Sequence, residues 1–155
     1  MRRFAFGLGA AALAAALIHS LRRHRSGSED VVRAYFDAWS DGDGDAIRDL
    51  VTDDFQAHVQ TLDGTEERGA DELVGAVGSH SEAFSEIEYE LHNVLCHNGC
   101  VAVRATMHAR HEETGQDGEM DGIAILRLDG DRIAEEWSSW DYLGLVGQLG
   151  LADSG

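Results

Sequence analysis

The chain has 155 residues, 43% of them hydrophobic, enough for one domain with a real core and hardly two. Its 29 acids face 12 basic residues, all arginine, for a formal net charge of −17. Every acid lies at or after Glu29 and five arginines lie at or before Arg25, so the folded part repels phosphate and a nucleic-acid partner is excluded. The acids are scattered through the domain rather than gathered on one face. That favours adaptation to high salt, where screening removes self-repulsion, over a face for one cationic partner.

Residues 1–28 form a separate piece. Arg2 and Arg3 precede an apolar run from Phe4 to Ile18, and Arg22, Arg23, His24 and Arg25 follow it. The run of 15 residues is short of the roughly 20 that a bilayer span needs, although residues 4–21 approach it. Basic residues directly after the core disfavour cleavage as a signal. A membrane anchor, a spurious extension and a cleaved signal are the three readings, with the anchor ahead. The expected location is membrane-tethered through this segment, or otherwise cytoplasmic in a high-salt organism. Ser26-Gly27-Ser28 is the linker, residues 29–150 the domain and 151–155 a tail.

Within the domain, Val31, Val32, Tyr35, Phe36 and Trp39 fall at helical spacing. Asp43-Gly44-Asp45 caps a short second helix through Ile47, Leu50 and Val51. Phe55 to Leu62 alternates as a strand, and Asp63-Gly64 is a turn. Ala70 to Phe84 predicts a third helix. The period then changes to two, from Ile87 to Leu95, and Asn98-Gly99 is a strong hairpin signal. Val101 to His111, Met120 to Leu128 and Arg132 to Trp140 complete a meander. Leu143 to Leu151 holds three glycines, too loose for an independent helix, and is expected to dock against the sheet end. The order predicts an α+β cone, a curved antiparallel sheet packed on three helices and enclosing a pocket.

Two stretches carry a resemblance. Tyr35-Phe36-x-Ala38-Trp39-x-x-Gly42-Asp43, followed by Asp53-Asp54-Phe55, resembles the opening of nuclear-transport-factor-2-like (NTF2-like) domains. Arg127 to Trp137, then Asp141-Tyr-Leu-Gly-Leu-Val-Gly-Gln148-Leu149-Gly150, resembles the SnoaL-like polyketide (ester) cyclase branch. The resemblance implies an intramolecular aldol condensation, with an aspartate acid/base on the last strand and a histidine partner on the strand before. Counted back from Gln148-Leu149-Gly150, those positions hold Ser138 and Ala124, neither of which is a base at neutral pH. The same superfamily hosts isomerases, epoxide hydrolases and plain binders, so the fold alone does not choose among them.

The candidate catalytic residues are therefore substitutes. Glu136 shares a strand face with Ser138 and Trp140; it reads as a base in the pocket or as one more solvated acid. Asp141 reads as a replacement base or as an anchor for the C-terminal segment. His111 stands where the family pattern has a histidine on a central strand, and reads as a polar pocket group or a strand-end histidine bonded to a loop. Tyr35, Trp39, His58, Arg104, Ser138 and Trp140 are the candidate substrate-binding set. His92, Cys96, His97 and Cys100 around the hairpin turn match no zinc spacing, and no metal or cofactor is expected. The expected ligand is small, hydrophobic or carbonyl-containing, and Trp137 on the outward parity points to a homodimer. Two functions remain open: an acid/base enzyme of the SnoaL-like class, or a non-catalytic binding or assembly domain.

Overall fold

The computed structural model describes residues 27–151. Helix α1 covers residues 27–41 and buries Val32, Tyr35, Phe36 and Ala38, the stripe that the apolar spacing predicts. Gly42 ends it at φ +66°, and the Asp43 N–H reaches back to the Ala38 carbonyl at 2.9 Å. Asp43 also begins the next element: its side chain accepts the Ala46 N–H and caps α2 (Gly44–Leu50).

Strand β1 (Val51–Thr61) starts before the predicted Phe55. A turn leads into β2 (Gly64–Arg68), which the sequence reading omits. Thr65, Glu66, Glu67 and Arg68 have no apolar alternation because β2 is an edge strand that pairs only with β1. Helix α3 (Ala70–Ala83) buries Leu73 and Val77 and passes directly into β3 (Phe84–His97), the Phe84 N–H bonding the His80 carbonyl. Asn98 and Gly99 both have positive φ, 48° and 76°, as a two-residue hairpin into β4 (Cys100–His111) demands. Strands β5 (Asp117–Asp129) and β6 (Arg132–Trp140) follow.

The glycine-rich end forms a helix, α4 (Tyr142–Gln148), contrary to expectation. Two contacts compensate for its glycines. Asp141 caps it through the Gly144 N–H at 2.9 Å, and Leu145 and Leu149 are buried in a cluster with Met107, Ala109 and Met120. It docks on β5 as anticipated, over Gly118, where a Cβ would stand 2.7 Å from Leu145.

The sheet order is β2-β1-β6-β5-β4-β3. The meander of β3 to β6 is antiparallel as expected, and so is β1 with β2; the expected antiparallel sheet is corrected only at β1 with β6, which are parallel. The chain lays its last strand beside its first and leaves β2 and β3 as the edges of an open sheet. The inner face is apolar: Phe55, Ala57, Val103 and Leu126 from the sheet join Val32 of α1 and Leu73 and Val77 of α3 in one core. The architecture is the α+β NTF2-like cone. Among the described residues no helix is long and apolar enough to cross a membrane. The anchor expected at residues 4–21 lies outside the described residues.

Candidate functional site

The concave face of the sheet, α1 and α3 enclose a cavity of about 560 Å³. Its floor is set by β6, where strand alternation turns Glu136, Ser138 and Trp140 inward and Glu135 and Trp137 outward. Glu136 and Ser138 are both buried. The Tyr35 hydroxyl, from α1, donates to Glu136 Oε2 at 2.6 Å across 101 residues of sequence. Burial holds the Glu136 carboxyl above the usual carboxylate range, while hydrogen bonds from Tyr35 and Ser138 and the charge of Arg68 oppose the rise. Burial also raises the Tyr35 phenol, and the neighbouring Glu136 raises it further. The pair is a carboxylate that takes a proton readily, held in place by a phenol that keeps its own.

The opposite wall is aromatic. Phe36 meets Tyr89 at 5.4 Å and Trp140 at 6.3 Å between ring centroids. Trp39 packs edge-on to the His80 imidazole at 5.6 Å. Burial lowers His80 to about 4, so its imidazole is neutral near pH 7. The mouth is polar: Glu66 and Arg68 of β2 form an ion pair there, and Glu72 of α3 and Tyr142 complete the rim. The pocket that the sequence suggests is thus aromatic along one wall and polar both at its mouth and at its floor, where Glu136 and Ser138 are buried.

Of the nine candidate residues, Glu136, Tyr35, Trp39, Ser138 and Trp140 line the cavity together. The other four do not. Asp141 is exposed and engaged as the α4 cap. His111 lies at the end of β4, where Nδ1 contacts Thr114 Oγ1 at 3.1 Å and the ring packs on Phe84. Arg104 faces out and donates to Asn93 at 3.0 Å, because its neighbours Val103 and Ala105 take the inward positions. His58 faces out for the same reason, between buried Ala57 and Val59. Its ring stacks on Trp137 at 5.5 Å and its nitrogens meet Glu67 and Glu135 at 2.9 Å and 3.2 Å.

His80 and Tyr89 line the cavity and stand in neither candidate set. His80 falls on the predicted third helix and Tyr89 in the alternating run from Ile87 to Leu95, and nothing local marks either as a cavity residue. Around the hairpin, Cys96 and Cys100 are both thiols, and among the described residues no cluster of three metal-ligating side chains forms.

The model of SnoaL-like polyketide cyclases matches residues 29–149. The chain belongs to that family. No protein of curated function matches it. Solved structures with the same fold include IdmH, a proposed polyketide cyclase of Streptomyces antibioticus, at 20% identity and TM-score 0.72, covering 79% of this chain and 98% of that one. A proposed polyketide cyclase of Bacillus cereus matches at 23% identity and TM-score 0.71, covering 81% of each chain. An LEH-like epoxide hydrolase of M. tuberculosis matches at 14% identity and TM-score 0.67, covering 81% of this chain and 91% of that one. As a SnoaL-like protein with this cavity, the chain is a small-molecule pocket protein.

Within the SnoaL-like frame, Ala124 and Ser138 are direct cross-strand partners on β5 and β6. These are the two positions at which the sequence comparison places the acid/base pair. The carboxylate this chain does bury is Glu136, one pleat along the same face, about 6.6 Å away at 3.3 Å per residue. Ser138, at one of those positions, is buried on the same inward face as Glu136.

Proposed function

We propose that this SnoaL-like protein performs general acid/base chemistry on a small carbonyl compound, with Glu136 as the base. The observation that carries the reading is the buried Tyr35–Glu136 pair at 2.6 Å inside a ligand-sized cavity. A carboxylate raised by burial is matched to taking a proton from carbon α to a carbonyl. In that step the C–H bond breaks, its electron pair forms the enolate C=C, and the proton rests on Glu136 until it returns to carbon or passes to a newly formed alkoxide. Tyr35 fixes the carboxylate's orientation throughout. No metal or cofactor enters this scheme.

The test is deuterium incorporation into enolisable ketones, 2-tetralone first, followed by proton NMR in D2O. Wild-type protein should accelerate exchange and Glu136→Gln should lose it while still binding the ketone. Absence of exchange across a panel of enolisable ketones and β-keto esters would reject the enzyme and leave the alternative, a non-catalytic binder. That alternative is favoured by one specific observation, the Ala124–Ser138 pair where the family's acid and base are expected.

The outer sheet face supports a homodimer. Leu95, Ile123, Ile125 and Trp137 are exposed large apolar side chains on that face. Sedimentation in molar KCl should give twice the monomer mass, and Trp137→Glu should return it to one.

A further inference from the structure

The cavity carries a second polar pair, unused by the scheme above. His80 comes from the last turn of α3, and Tyr89 from β3, nine residues on. The Tyr89 ring is fixed by Phe36 at 5.4 Å and by Trp140 at 5.6 Å. The His80 ring is held by Trp39 at 5.6 Å and Phe84 at 5.2 Å. Between them, the Tyr89 hydroxyl and His80 Nε2 stand 3.5 Å apart, the outer limit of a hydrogen bond.

The two phenols differ in what they are free to do. The Tyr35 hydroxyl is engaged with a carboxylate in a short bond of the stronger, charge-assisted kind. Tyr89 has a slack contact to a neutral ring, so its proton can turn to a ligand oxygen without breaking a good bond. Burial keeps Tyr89 protonated, and burial keeps His80 neutral with one ring N–H. No carboxylate bonds to His80 among the described hydrogen bonds.

We infer that Tyr89 is the hydrogen-bond donor to the ligand's carbonyl oxygen, and that His80 is the positioning residue whose Nε2–H holds the Tyr89 oxygen so that its O–H points into the cavity. The inference deepens the reading of Glu136 as base and rests on it for its catalytic meaning. Proton removal at Glu136 sends an electron pair onto the carbonyl oxygen, and Tyr89 meets that charge by hydrogen bonding, with no proton leaving the phenol. The substrate class follows: a ketone or ester whose carbonyl oxygen meets Tyr89 while its α-carbon faces Glu136.

The experiment uses 2-tetralone labelled with carbon-13 at the carbonyl, bound to the full chain. Tyr89→Phe should move the bound carbonyl resonance upfield and slow exchange about 100-fold, the loss typical of one oxyanion donor, with a much smaller change in Kd. His80→Leu should reproduce part of both effects, and His80→Gln, which keeps an N–H, should recover most of them. An unmoved resonance in Tyr89→Phe, a resonance that follows Tyr35→Phe instead, or failure of the ketone to bind would overturn the inference. Exchange that depends on Glu136 but not on Tyr89 rejects this assignment alone. A Tyr89-dependent resonance without any exchange rejects Glu136 as a base and retains Tyr89 as the carbonyl contact.

Discussion

Glu135 and Glu136 are neighbours in sequence and opposites in chemistry. Strand alternation turns Glu135 to the outer face, where it meets His58 at 3.2 Å and Arg127 at 3.0 Å. Glu136 turns into the cavity, where the Tyr35 hydroxyl is its hydrogen-bond donor. The His58 hydrogen bond, with Arg127, holds Glu135 below the ordinary carboxylate range; burial holds Glu136 above it. Water and cations make one acid a solvated surface charge. Their exclusion makes the other a proton acceptor. One step along a backbone separates a surface acid from a buried one.

The largest way to test that contrast is by activity. Glu136→Gln should lower ketone deuterium exchange by about 100-fold or more, whereas Glu135→Gln should leave it near wild type in the same NMR assay. Next comes the phenol. Tyr35→Phe removes the donor to a buried carboxylate and should cost about 1.5–3 kcal/mol of stability in urea unfolding at pH 7. Pairing it with Glu136→Gln should recover part of that loss, because the uncompensated charge is then gone.

Packing beneath the site gives a comparable effect. A Cβ at Gly122 would lie 2.1 Å from the Trp140 ring. Gly122→Ala should therefore push the indole out of place, cost about 1–3 kcal/mol and shift the tryptophan emission. Asp141→Ala, at the helix cap rather than the cavity, should cost about 1 kcal/mol without changing exchange in the NMR assay.

The smallest effect is the opposed pH dependence of the two glutamates. Glu136 binds its proton more tightly in the folded chain, so its contribution is full below the ordinary value of 4.5 and is lost as pH rises through the raised folded value. Glu135 is the reverse: its contribution is present above 4.5 and is lost as pH falls through its lowered folded value. Urea midpoints measured from pH 3 to 7 should show Glu136→Gln gaining on wild type as pH rises. Glu135→Gln should lose ground over the same range, by less, since its partners are half exposed.

The legible parts of the fold were those with a local cause. The α1 stripe, the Asp43 cap and the Asn98-Gly99 turn each need only a few adjacent residues. The missed parts were tertiary. Edge strand β2 takes its conformation from β1 rather than from its own polar sequence, and α4 is helical because Leu145 and Leu149 find Met107 and Met120. The parallel β1–β6 seam has no local signature at all. In the site, strand parity was enough to set Glu136 beside Ser138, but the Tyr35 contact spans 101 residues and leaves no periodic trace. Arg104 and His58 were drawn toward the pocket by analogy, against the parity of their own strands.

The seam between the first and last strands also governs assembly. β6 is the last strand in the chain, yet it occupies an interior place in the sheet, between β1 and β5. On the ribosome, β1 must wait with one edge open until Arg132–Trp140 has been made. The cavity's floor is supplied by the strand made after both of its neighbours. A nascent chain stopped before Arg132 lacks Glu136 and Ser138 and leaves the facing edges of β1 and β5 unpaired, an invitation to aggregation.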